Sequence, residues 1–132
     1  MVKFLYPTTE KIIEYNLLAL TFLVVKKADK PEVLSHSKID NVLKKCKETK
    51  GDVYNKAAIL LSELIKSHAF ASGNRRTAFI VAKYFVRQNK GKFRIKDDPT
   101  YSKVMTGIRE GFYTLEEIVN WIKNGKIKKF KR

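Results

Sequence analysis

Cysteine is almost absent from this chain: Cys46 stands alone. That excludes an intramolecular disulfide and fits a reducing compartment. Its setting, VLKKCKETK, has no histidine nearby in sequence, so a half-buried bystander is expected rather than a nucleophile. Long apolar runs are missing as well. The longest, LLALTFLVV, falls far short of the ~20 residues a bilayer requires. The N-terminus, MVKFLYPTTEK, does not combine a basic start, an apolar stretch and a small-residue cleavage site. A soluble cytoplasmic chain without a membrane partner is expected. Acidic residues are scarce, 13 Asp plus Glu against 28 Lys plus Arg, leaving a net charge of +15. Such a field attracts nucleotides, nucleic acid or an acidic protein segment without choosing among them.

What is present is helical periodicity. A length of 132 residues suits one core, and 44% hydrophobic residues suit a compact fold. TTEKIIEYNLLALTFLVVKK places Ile13, Leu17, Leu20 and Val24 on one helical face, with Thr8 after Pro7 as N-cap. SKIDNVLKKCK opens with Ser37 and Asp40 at capping-box spacing. DVYNKAAILLSELIKSH is apolar nearly all round from Ala57 to Ile65, and NRRTAFIVAKYFVRQNK likewise from Ala78 to Val86, with Gly91 as its stop. After an extended KFRIKDD, Asp98 and Pro99 open a further helix with Tyr101, Val104, Met105 and Ile108 inward and Gly111 at its end. Thr114 and Glu117 form a capping box for the last helix, whose Leu115, Ile118, Val119 and Ile122 share a face before Gly125. No repeat, low-complexity linker or strong strand interrupts the pattern. The expectation is an all-α single domain of about six helices over residues 1–125. The basic tail 126–132 follows it, a solvated, partly disordered end or else a docking strip.

The stretch SHAFASGNRRTAF lies between the two most buried helices, with His68 ending one and Asn74 starting the next. A helix N-terminus offers unpaired N–H groups and a positive dipole end to phosphate oxygens. Gly73 permits close approach, Asn74 can cap the helix or donate to an anion, and Arg75 and Arg76 add forked donors. Phe70 is expected to point into the core and pin the loop. With two arginines nearby, His68 should stay neutral and basic near pH 7, ready to take a proton from an attacking hydroxyl. On these residues alone, a helix-ending histidine that caps carbonyls beside two solvated arginines reads equally well. His36, in LSHSK, has no comparable setting and reads as a surface loop residue.

The wider pattern resembles the Fic/Doc family. HAFASGNRRTA is similar to its signature H-x-F-x-[DE/N]-[GA]-N-[GK]-R, nearest the Doc (death-on-curing) branch with its N-K-R-T-A ending. FLYPTTEKIIEYN, SKIDNVLKKC, GDVYNKAAILLSELIKSHAF and GIREGFYTLEEIVNWI resemble the family's helices in order, so the likeness covers most of the chain. The resemblance implies a helical Fic/Doc-like bundle with the motif loop between two buried central helices. It implies transfer of part of ATP, with Mg²⁺, onto a hydroxyl side chain of a target protein. His68 matches the general base, Phe70 the core anchor, Gly73 and Asn74 the anion-hole residues, and Arg76 the phosphate-contacting arginine. Arg75 falls where AMP-transferring members carry glycine and Doc kinases carry lysine. Phe79 replaces a second arginine of the AMP-transferring members. Both changes favour a Doc-like toxin that moves the γ-phosphate of ATP, with a translation factor as the family's kind of target and an antitoxin whose acidic segment would suit the charge.

Ser72 departs from the pattern by replacing the acidic magnesium ligand with a neutral hydroxyl. AMP transfer and a catalytically silent Fic-fold binding module therefore stay open as alternatives. TGIREG also matches the autoinhibitory [ST]-x-x-x-E-[GN] motif, in which Glu110 would pair with an arginine and block the nucleotide.

Overall fold

The computed structural model describes residues 3–22, 31–99 and 101–131. Their order is α1 (Thr9–Phe22), α2 (His36–Glu48), α3 (Val53–Ser67), α4 (Asn74–Gln88), α5 (Tyr101–Arg109) and α6 (Leu115–Asn124). The expected all-α architecture is observed, with no strand among the described residues. α3 and α4 form the centre: α1 packs on α4, while α2, α5 and α6 pack on α3. Their interface is built from small and branched residues, among them Ala57, Leu60, Leu61, Ala78, Val81, Ala82 and Val86, all nearly inaccessible. The loop between α3 and α4 inherits the rigidity of the pair.

Several sequence expectations need correction. On α1 the buried row is Ile12, Asn16, Ala19 and Leu20, whereas Leu17 is 52% exposed and Ile13 half-buried. Val24 lies outside the described residues. The apolar residues run almost round this helix, and polar Asn16 in the true row disguises it. Thr8 does cap α1, its hydroxyl accepting from the Lys11 N–H at 3.1 Å. The cap of α2 is Ser35, which accepts from Lys38 N, and not Ser37, so His36 belongs to the first exposed turn of a helix and not to a loop. Cys46 is fully buried rather than half-buried.

At the end of α4, the left-handed residue is Lys90, at φ 65°, rather than Gly91. Gly91 is needed for space: a Cβ there would stand 2.8 Å from Val86 Cγ1. α5 begins at Tyr101, after a turn in which the Tyr101 N–H donates to Asp98 O and the Ser102 N–H to Pro99 O. The capping box of Thr114 and Glu117 is present, but α6 buries Trp121 with Ile118 and Ile122 and leaves Leu115 exposed.

The basic tail folds back. Tyr113 Oη donates to Lys128 O at 2.9 Å, Lys128 pairs with Glu117 at 3.1 Å, and the Phe130 ring meets Phe112 edge-on at 5.1 Å. Alternating Ile127 and Phe130 among lysines supplies the apolar contact that a count of charges hides. Among the described residues no helix is long and apolar enough to cross a membrane.

Candidate functional site

α3 ends on His68, whose backbone is left-handed at φ 51°, ψ 47°. A non-glycine residue adopts that conformation at a cost of about 1–2 kcal/mol. Here it turns the chain out of α3 and leaves the imidazole exposed. Residues 69–71 then run beside residues 32–35. Leu34 and Ser35 N–H donate to Ala69 O, Ala71 N–H donates to Glu32 O, and Val33 bridges Phe70. Phe70 itself is 1% exposed and anchors the loop in the core.

Gly73 ends the loop at φ 76° and is the N-cap of α4. A Cβ there would come within 3.2 Å of Leu20 Cδ2 and 3.3 Å of Asn16 Nδ2, so space as well as conformation requires glycine. No side chain caps α4. Its first-turn amides therefore stand at a positive dipole end with no capping side chain as acceptor.

Asn74 does not cap the helix; its amide is engaged within the loop. Its Oδ1 accepts from the Phe70 N–H at 3.1 Å, its Nδ2 donates to Phe70 O at 2.8 Å, and Nδ2 stands 3.5 Å from His68 Nδ1. The amide clamps the loop in both directions and sits against the histidine. A second clamp comes from α1, where buried Asn16 donates to Ser72 O at 2.9 Å and to Thr77 Oγ1 at 3.0 Å. Asn16 was not anticipated, although a lone amide within IIEYNLLAL is a readable signal.

The loop forms one wall of a cleft of about 760 Å³. His68, Ser72, Gly73, Asn74, Arg75 and Arg76 line that wall; Asp97, Asp98, Tyr101, Ser102, Met105 and Arg109 face them. Arg75 reaches across to α5, donating to Thr106 Oγ1 at 3.2 Å. Arg76 makes a two-pronged ion pair with Asp97, both contacts 2.7 Å, above the Phe79 ring at 5.3 Å. Hydrogen bonding to Arg76 holds the Asp97 carboxyl below its ordinary value, and the same bond raises Arg76. Asp97 lies 21 positions from Arg76, and nothing in the sequence joins them. Phe79 is 3% exposed, edge-on to Phe93, and belongs to the core at the base of the cleft. Glu110 is exposed at the end of α5 and does not line the cleft; Arg109 does.

The family model for the Fic/DOC family matches residues 21–86, half of the chain, and the match spans the whole loop from His68 to Arg76. The chain belongs to the Fic/DOC family. No curated protein matches it. Membership points to Fic-type transfer from a nucleotide, and the Fic/DOC motif here lines one side of a single cleft.

Magnesium fits this wall poorly. Ser72 offers a neutral oxygen, both Asp97 oxygens are engaged by Arg76, and among the described residues no group of three or more His, Cys, Asp or Glu is placed to hold a metal ion. A hard cation prefers carboxylate and phosphate oxygens, and the loop from His68 to Arg76 supplies neither.

Proposed function

We propose that this Fic/DOC chain is a Doc-like toxin that transfers the γ-phosphate of ATP to a Ser or Thr hydroxyl of a cellular protein, for which the family offers translation factors as precedent. The observation that carries the reading is the convergence of His68, the side-chain-free N-terminus of α4, Arg75 and Arg76 on one cleft. His68 accepts the proton of the attacking hydroxyl as its oxygen bonds to phosphorus. The bond from γ-phosphorus to the bridging oxygen breaks, and its electron pair leaves with ADP. Amides of α4 and the guanidinium of Arg75 stabilise charge on the phosphoryl oxygens. Asn74 acts on the loop, holding the geometry of Phe70 and His68.

Two residues support γ-phosphoryl over AMP transfer. Arg75 extends to Thr106 of α5, filling space a glycine would leave open, and buried Phe79 presents no cation. Ser72 supports a second reading, a silent binding module, because it provides no charged ligand for a metal. ATP and Mg²⁺ are the proposed cofactors; the metal would arrive on the nucleotide, where Ser72 would offer it only a neutral oxygen. The proposed antitoxin is an acidic segment; a groove between α2 and α3 offers it Lys38, Lys44 and Lys66 beside Glu48 and a Lys45–Glu63 ion pair.

The test is His68→Ala. The variant should lose transfer and toxicity while keeping its helical content, because the side chain is exposed rather than part of the core. Undiminished toxicity at equal expression would remove His68 from the chemistry.

A further inference from the structure

Asp97 takes up the guanidinium fork of Arg76. Its two oxygens take both terminal nitrogens of the guanidinium, 2.7 Å each, the fork geometry in which arginine holds carboxylates and phosphates alike. The pair lies inside the cleft and not on an outer face, since both residues line it. Asp97 comes from the extended segment before α5, opposite the motif loop. The guanidinium of Arg76 also lies over the Phe79 ring, 5.3 Å from its centroid.

We infer that Asp97 is a built-in competitor for the phosphate site: it covers Arg76 until a polyphosphate displaces it. This inference rests on the reading of the cleft as a nucleotide site, and it adds a control that the motif residues do not contain. The exchange is feasible because the pair is well solvated, with side chains 35% and 53% exposed. Exposed pairs typically contribute about 1 kcal/mol or less, two-pronged ones standing at the upper end, whereas a polyphosphate brings more charge and the α4 amides as further donors. Displaced, the Asp97 carboxylate remains an anion beside bound phosphates and continues to oppose them. Both effects have one sign: Asp97 weakens polyphosphate binding. A residue that merely oriented Arg76 for its ligand would strengthen it.

The experiment measures binding, by calorimetry, of ATP and of inorganic triphosphate to the full chain as wild type, Asp97→Asn, Arg76→Gln and the double variant. Asp97→Asn is expected to bind both ligands roughly two- to tenfold tighter, and the gain should vanish in the Arg76→Gln background. Equal or weaker binding by Asp97→Asn overturns the inference, as does an undiminished gain without Arg76. If triphosphate shows the pattern while ATP binds to none of the four, the competitor stands and the nucleotide reading falls. Binding of neither ligand to any variant removes both.

Discussion

Lys56 is 5% exposed, and its ammonium donates to the carbonyls of Cys46, Lys47 and Thr49 at 3.1, 3.3 and 2.6 Å. All three protons close the C-terminal end of α2, and the rings of Phe4 and Tyr6 cover the cation at 5.2 and 5.4 Å. Lys56→Met keeps the stem but abandons those carbonyls, and should cost about 2–4 kcal/mol in urea unfolding. A loss under about 0.5 kcal/mol would be the mark of a surface lysine. Beside it, burial pushes the Cys46 thiol up to about 11. At pH 8 it should resist a thiol reagent in the folded chain and react only at the rate of unfolding; fast native labelling would contradict its burial. Asp97 has the opposite shift. Its lowered value means the Arg76 pair stabilises the fold above the ordinary 3.8 and is lost as pH falls through the lower folded value. The small stability gap between wild type and Asp97→Asn should therefore close in acid, and a gap that widened there would refute the sign. In the sequence, Lys56 looks like one more lysine of a basic chain, because its three partners are backbone atoms and backbone leaves no residue signature.

Helices were legible as elements; which way they face was less so. Thr8 and the Thr114–Glu117 box marked their helices because a side-chain cap is a local event. Faces depend on neighbours. Ile13 and Leu17 are at least as apolar as Ile12, Asn16 and Ala19, and only contact with α4 and the motif loop selects the second set for burial. Leu115 and Trp121 on α6 exchange roles for the same reason. The motif loop was legible in its residues but not in its supports, since Asn16 reaches it from 56 positions away in sequence. Asn16→Ala would leave Ser72 O without its donor and should cost about 1–3 kcal/mol. It should also speed amide exchange around Ser72 and Gly73 and weaken ATP binding. Loss of stability with unchanged exchange in the loop would confine Asn16 to the core.

At the scale of the molecule, the charge was legible as a field and the tail's place was not. Ending the chain after Gly125 removes Lys128 from Tyr113 and Glu117, and Phe130 from Phe112 and from Gly107, where a Cβ would come within 3.0 Å of its ring. The truncated chain should lose about 1–3 kcal/mol, the scale of one large apolar side chain returned to water. Unchanged stability would restore the tail as a solvated end. The central claim is that this cleft moves the terminal phosphate of ATP. The most direct measurement incubates wild type and His68→Ala with cell lysate and ATP labelled at the γ or the α position. The account predicts protein-bound label from γ only, and only with wild type. Label from α would show AMP transfer through the same motif, and label from neither position would contradict catalysis and leave a nucleotide-binding module.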